Sequence, residues 1–267
     1  MVAGVLARER EGREVKVEQQ TGLSASLTGV TALAMKLRAR DTLSPEEEQV
    51  LRDAVGEIRE IRPGHVIVRS GDQLDVSVLL ERGIVARYKD LADGERQIQE
   101  LHIIGDFVDL HGFLLKRLDH NIGAVSACRI ALVPHSRLTR ITEQHPHLAR
   151  LLWFSTVLDA SIQRETILSV GRRSAIARIA HLVCELSIRL GIIGLGDRHG
   201  FPLPIKQMDI ADATGLTSVH VNRMLKQLRD EEMMTFRNGL VTIHNWDRLA
   251  EVAEFDPIYL HLERFPR

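Results

Sequence analysis

The sequence predicts an α+β chain built in three parts: a β-roll, a long helix and a winged helix-turn-helix. Three observations carry this. Between Glu57 and His135 short apolar runs are cut by turn pairs, Pro63-Gly64, Ser70-Gly71-Asp72, Arg82-Gly83, Asp93-Gly94 and Gly105-Asp106, the texture of a compact barrel or roll of short strands. From His147 to about Val170 there is neither Gly nor Pro. Residues Gln207–Lys226 then read as helix, glycine turn, helix. The implied division is 1–28, a mobile N-terminal extension; 29–145, the β-roll with flanking helices; 146–171, the long helix; 172–245, the winged helix-turn-helix; and 246–267, a helical tail.

Residues 1–28 mix charges with a small polar run and show no sustained period. A first helix is expected over Thr31–Arg40. Ser44-Pro45 with Glu47 forms a capping box and opens a second, because a Ser N-cap and a Glu three residues on satisfy each other's backbone donors. The segment Ser77–Tyr88 reads as two strands around a tight turn at Arg82-Gly83. After Pro146, the residues Leu148, Leu151, Ser155, Leu158, Ile162, Glu165 and Ser169 fall at alternating three- and four-residue steps. That is a heptad seam, polar in its lower half, of the kind that meets a symmetry mate; the other use of such a stripe is packing on its own β-domain. Gly171 is expected to interrupt the helix. A second helix then runs over Arg173–Arg189, followed by a flexible loop with Gly194, Gly196 and Gly200.

The helix-turn-helix is the most specific signal. Small Ala211 lets two helices cross closely, and Gly215 supplies the positive φ of a tight turn. Thr217 suits the N-cap of the second helix. Val221, Met224, Leu225 and Leu228 give that helix a buried stripe. The opposite face holds Ser218, Val219, His220, Asn222, Arg223 and Lys226, and no acid lies between Thr217 and Arg229. A cationic face confined to one helix suits a helix that enters the major groove. Asn and Arg side chains can bond base edges bidentately and a valine can touch a thymine methyl. Met233–His244 reads as a hairpin through Asn238-Gly239, a wing. The candidate DNA-binding residues are Gln207, Thr217, Ser218, Val219, His220, Asn222, Arg223 and Lys226.

This order of parts, with Ile210-Ala211, Gly215-Leu216-Thr217 and Val221–Leu225, resembles the Crp/Fnr superfamily of bacterial transcription regulators over about residues 45–245. The resemblance implies a cyclic-nucleotide-binding-like β-roll, a dimerisation helix and a homodimer on a two-fold-symmetric operator. By the same likeness the dimer seam would be Leu148, Leu151, Ser155, Leu158, Ile162 and Glu165. The effector pocket would be Gly105 and Asp106 in the phosphate loop, His120 and Asn121 later in it, and Gln163 and Arg164 on the long helix. These last four stand where cyclic-AMP-binding members carry Arg-Ser and Thr-Ser pairs, and they argue against cyclic AMP. The N-terminus has no cysteine, which argues against the iron–sulfur cluster of the oxygen-sensing members. Ser218-Val219 replace the Arg-Glu pair of the catabolite activator, implying a different operator.

Composition narrows the classes. With 35 Lys+Arg against 36 Asp+Glu the chain is no polybasic binder, and its 4% aromatic content argues against stacking of single strands. Cys128 and Cys184 are far apart and too few for a structural zinc. His102, His111 and His120, with Asp106 and Asp109, have no local ligand spacing. No metal and no certain cofactor is therefore expected, and the small-molecule effector is left open. No apolar run approaches the ~20 residues of a membrane span; a cytoplasmic protein with no membrane partner is expected. No catalytic motif appears, so no enzyme and no catalytic residue is expected. Arg172, Arg173 and Arg178 either touch phosphate or start a solvated helix. Trp246, Phe255 and Tyr259 are expected to dock the tail on the DNA-binding domain or the dimer mate; RNA polymerase is a further partner to consider. The resulting reading is a homodimeric regulator in which a β-roll signal re-packs the seam and turns the recognition helices. Its rivals are a constitutive ligand-free DNA-binding dimer and a signal module acting through protein partners.

Overall fold

The computed structural model describes residues 27–267; all but the last two residues of the expected N-terminal extension lie outside the described residues. Helix α1 (Gly29–Arg38) starts two residues before its expected place, because Thr28 accepts the Thr31 N–H and caps it. Helix α2 (Pro45–Ala54) carries the expected capping box: Ser44 Oγ accepts from Glu47 N at 3.1 Å and Glu47 Oε2 from Ser44 N at 2.9 Å.

Seven strands follow: β1 (Ile58–Ile61), β2 (Val66–Val68), β3 (Val76–Arg82), β4 (Val85–Asp90), β5 (Arg96–His102), β6 (Asn121–Ala124) and β7 (Cys128–Pro134), with the short helix α3 (Gly112–Leu115) before β6. They form two antiparallel sheets, ordered β1-β7-β3 and β2-β6-β4-β5. Val78, Leu80, Val85, Val108, Ile122, Ala124 and Ile130 fill the space between them. The two strands of Ser77–Tyr88 are present but do not pair with each other: β3 pairs with β7, and β4 with β5 and β6. The Gly83 turn is a corner between sheets. Its φ is +93°, and a Cβ there would lie 2.4 Å from the Ala127 carbonyl, so only glycine lets the chain change sheets at this point.

Helix α4 (His135–Gln144) leads into α5 (Pro146–Arg172), 27 residues long. The helix runs through Gly171 instead of breaking there; with no neighbour near it, this glycine costs propensity only. The turn falls at Arg173-Ser174, where Ser174 caps α6 (Ala175–Ile192). Much of the expected seam packs inside the protomer. Leu148 and Leu151 are buried against the β-roll and its helices, Ile162 is buried with Tyr259 and Leu260, Leu158 packs beside them, Ser155 bonds the Leu151 carbonyl, and Glu165 holds Arg173 at 2.6 Å. Leu148 and Leu151 thus take the own-domain use of that stripe, while its lower residues meet the tail and Arg173. The apolar side chains left outward on α5 are Trp153 and Ile167, each 71% exposed, with Val157 and Leu168. Counting Ala160 and Arg164, they form a second stripe at three- and four-residue steps.

The C-terminal unit holds α6, α7 (Gln207–Thr214), α8 (Ser218–Asp230), α9 (Trp246–Val252) and a sheet ordered β8-β10-β9 from β8 (Gly200–Pro202), β9 (Met234–Arg237) and β10 (Leu240–Ile243). Asn238 and Gly239 both have positive φ, +52° and +72°, the type I′ hairpin of the expected wing. The third strand arises within the expected flexible loop: Gly200 lets β8 approach β10 so closely that a Cβ would sit 2.2 Å from Val241 O. This unit rests on the β-roll. Ile98, Leu101 and Ile103 share a core with Ile210, Ala211 and Leu186, and Gln97 Nε2 donates to Asp212 O at 2.8 Å.

Candidate nucleic-acid interface and sensor interior

The recognition surface is built locally. Gly215 ends α7 in the left-handed region, φ +64°, and Leu216 N donates back to Ala211 O at 3.1 Å. Thr217 then caps α8 by accepting from His220 N at 3.2 Å. Val221, Met224, Leu225 and Leu228 turn inward, which forces Val219, Asn222, Arg223 and Lys226 outward. Val219 is 83% exposed. Among the described residues neither Arg223 nor Lys226 has an acidic partner, whereas nearby Arg229 pairs with Asp230 and Arg248 with Glu231.

All eight expected DNA-binding residues lie around this helix. Four, Val219, His220, Arg223 and Lys226, have no side-chain hydrogen bond among the described residues. Four are engaged within the protein: Thr217 as cap, Ser218 by a bond from Oγ to Met208 Sδ at 3.2 Å, and Gln207 and Asn222 with each other, Gln207 Oε1 accepting from Asn222 Nδ2 at 3.3 Å. Sequence reasoning passed over exposed Met208, beside Ser218, and the wing tip, exposed Arg237 and Asn238; a lone cation next to the turn pair was the available signal. Arg173 and Arg178 are framework instead: buried Arg173 binds Glu165, and Arg178 donates to the Arg173 and Thr214 carbonyls.

The six expected effector-pocket residues do not converge on one cavity. Gly105, φ +82°, lies against α1, where a Cβ would meet Leu33 N at 2.6 Å. Asp106 accepts from Lys36 Nζ at 2.5 Å, from Arg189 at 3.0 Å and from Ile103 N at 2.9 Å. Burial alone would raise its pKa, but the two cations hold it far below the usual carboxylate range. His120 bonds Asp119 at 2.9 Å, and Asn121 accepts from Ser70 N and donates to Asp90. Gln163 touches Glu100 at 3.4 Å; exposed Arg164 bonds Ser161. The reason is that charges distant in sequence find each other first.

The sensor interior holds a charge cluster that local sequence did not disclose. Arg87 of β4 donates to Glu100 at 3.0 Å, to the Val108 carbonyl at 3.0 Å and to Asp159 of α5 at 3.3 Å. Two carboxylates share one guanidinium. Burial, and then the neighbouring carboxylates, raise Glu100 well above its ordinary value; burial likewise raises Asp159 to about 6 against the pull of Arg87. Burial lifts Asp109 to about 7 although Val78 N donates to it at 2.6 Å. His102, His111 and His120 are pushed down by burial, His111 to about 3, so they are neutral rings at pH 7.

A cyclic nucleotide needs a cation for its phosphate and room for its base. Both terminal nitrogens of Arg87 are committed to protein oxygens. The cavity beside Asp106 and Asp159 measures about 50 Å³, space for a few waters where ligand pockets usually span ~300–1,000 Å³; the larger space beside Gln163, about 380 Å³, is lined by Gln97, Gln99, Thr166 and apolar groups and offers no cation for a phosphate. The residues present do not fit the nucleotide.

A β-roll joined by a long helix to a winged helix-turn-helix defines a DNA-binding transcription regulator, and the comparisons agree. The cyclic nucleotide-binding domain family matches residues 58–145, and the Crp-like helix-turn-helix domain family residues 177–252. The chain belongs to the Crp/Fnr superfamily. It is 24% identical over 212 residues to the fumarate and nitrate reduction regulatory protein of Escherichia coli K12, covering 79% of this chain and 84% of that protein. It is 23% identical over 214 residues to the protein of the same name in Yersinia pestis, with the same coverage. The FixK2 structure from Bradyrhizobium japonicum superposes with TM-score 0.64 at 25% identity, over 73% of this chain and 96% of that one. These relatives are regulators, not enzymes. No helix among the described residues is long and apolar enough to cross a membrane.

Proposed function

We propose that the protein is a cytoplasmic homodimer that reads a two-fold-symmetric double-stranded DNA site with one α8 in each of two successive major grooves. One observation carries the reading: on α8 a buried apolar stripe sits opposite an exposed face bearing Asn222, Arg223 and Lys226, with a wing beside it. Arg223 offers the fork that pairs guanine, Asn222 the amide that pairs adenine, and Val219 a surface for a thymine methyl. Lys226 supplies a phosphate contact, and Gln207, Thr217, Ser218 and His220 frame the entry of the helix. Half-sites would stand about one helical turn, ~34 Å, apart.

The two copies join along the outward stripe of α5, from Trp153 through Val157 and Ala160 to Ile167. That stripe replaces the one through Leu148 and Leu151, which the protomer uses for itself. The β-roll acts without a cyclic nucleotide, its interior occupied by Arg87, Glu100 and Asp159. RNA polymerase is the partner through which such a dimer would act on transcription.

Selection from a random duplex pool, followed by gel shift, tests the reading. Enrichment of an inverted repeat bound by a dimer is expected; no enrichment at moderate salt sinks it. Titration calorimetry with cyclic AMP and cyclic GMP should give no binding heat, and micromolar affinity for either would overturn the nucleotide-free reading.

A further inference from the structure

The matched family segment ends at residue 252, and the chain beyond it does something the winged helix does not require. It leaves α9, passes a left-handed Glu254 (φ +49°), and crosses the back of α6 toward the β-roll. Phe255 and Tyr259 close on the His181 ring of α6, with centroids 5.3 and 5.7 Å away. Tyr259 Oη donates to buried Glu185 Oε2 at 3.0 Å. Tyr259 and Leu260 cover Ile162 of α5. At the far end Arg40, just past α1, donates twice to the Leu260 carbonyl, at 3.2 and 2.9 Å, and its own carbonyl accepts from Phe265 N at 3.0 Å. The Arg267 guanidinium lies 3.8 Å above the Phe154 ring.

The tail thus grips the β-roll, the long helix and the DNA-binding unit at once. It also touches the turn between the last two: Arg173, bound to Glu165 at 2.6 Å, reaches the Glu254 carbonyl at 3.4 Å. Any swing of α6 about Arg173-Ser174 carries Glu185 and His181 with it, while Arg40 and Ile162 stay behind. The segment anchored on both sides must then let go of one.

We propose that residues 253–267 form an intramolecular strap that sets the angle between the winged helix unit and the β-roll, and that its release from Arg40 and Ile162 frees the turn at Arg173. The strap concerns how two units of this chain are coupled, and it holds whether or not α8 reads a duplex.

The test uses the full chain with spin labels on Gln49→Cys of α2 and Glu251→Cys of α9, both exposed positions, and hydrogen exchange in parallel. Leu260→Asp should broaden the interdomain distance distribution and speed exchange of amides 165–181 at least tenfold, leaving β3 and β7 protected. Tyr259→Phe, which removes only the hydroxyl, should give a smaller rise at the same amides. Ile258→Asp, at a side chain 76% exposed, should match the unaltered protein. If Leu260→Asp does not fold, Arg40→Gln, which spares the apolar contacts, carries the same expectation. A distance distribution as narrow as in the unaltered chain overturns the strap. So does faster exchange spread evenly into β3 and β7, since the tail would then be ordinary core.

Discussion

Arg189 of α6 meets Asp106 of the β-roll at 3.0 Å, 83 positions away in the chain, and holds Glu185 at 2.9 Å with its other terminal nitrogen. Lys36 of α1 completes the group from the opposite side of Asp106. The side chains are nearly sealed from water, so each charge depends on its partners. Burial draws Lys36 down to about 8, the attraction of Asp106 opposing the fall.

Arg189→Met removes the cation common to two buried carboxylates. Asp106 keeps Lys36, but Glu185 is left without its cation, and breaking a buried pair in this way costs about 3–5 kcal/mol. The urea midpoint should fall accordingly. Because the ion pair joins two units, the β-roll and winged helix transitions should separate when followed by hydrogen exchange. A midpoint within experimental error of the unaltered protein would contradict the role given to Arg189.

Arg223 and Lys226 should behave differently on DNA. Arg223→Ala removes a base-edge fork and should cost ~1–3 kcal/mol on the selected site, while relaxing preference at one base pair. Lys226→Ala removes a phosphate contact; affinity should fall about equally on all sequences, and the log–log salt slope should shrink by about 1. Fluorescence anisotropy at several salt concentrations separates the two. A uniform loss for both variants would mean that α8 grips the backbone only.

What could be read along the chain was whatever neighbouring residues settle among themselves. The Ser44–Glu47 box, the Gly215 turn and the Asn238-Gly239 hairpin are short-range devices, and each is found at its expected residues. Strand existence in Ser77–Tyr88 was equally local, but partnership was not: β3 chooses β7 from some fifty residues downstream. The seam on α5 turns on a related point. A 27-residue helix carries two apolar stripes, and periodicity alone does not say which one its own β-roll takes; burial of Leu148 and Leu151 shows that it takes the upper part of the first. The family likeness alone assigns Asp106 to a phosphate loop. Its actual partners, Lys36 and Arg189, lie 70 and 83 positions away, and no local pattern announces them.

The two stripes of α5 make opposite predictions. Ile167→Asp puts a carboxylate on the outward face, where the protomer has nothing to lose, and should leave a folded monomer by sedimentation at micromolar concentration with its circular dichroism unchanged. Leu148→Asp buries a carboxylate in the β-roll core, and should unfold that domain. An Ile167→Asp protein that remains dimeric would place the interface elsewhere.

His147, at the start of α5, is set between two carboxylates, one from α2 and one from the turn before it: its Nδ1 lies 2.6 Å from Glu47 Oε1 and its Nε2 3.4 Å from Asp41 Oδ2. The hydrogen bond to Glu47, then that to Asp41, raises its pKa above the ordinary histidine value despite partial burial. The folded protein therefore holds this proton more tightly than the unfolded chain does. The stabilisation is complete below the unfolded pKa of ~6.5 and is lost as pH rises through the higher folded value. His147→Gln keeps an amide that can still bond but no longer titrates. The melting temperature difference between the unaltered protein and His147→Gln should be largest near pH 5.5 and shrink steadily toward pH 8.5. Asp41, held below its ordinary pKa in part by the same histidine, titrates well under this window and does not reverse the trend. A difference that grows with pH would show that His147 is bound as the neutral ring.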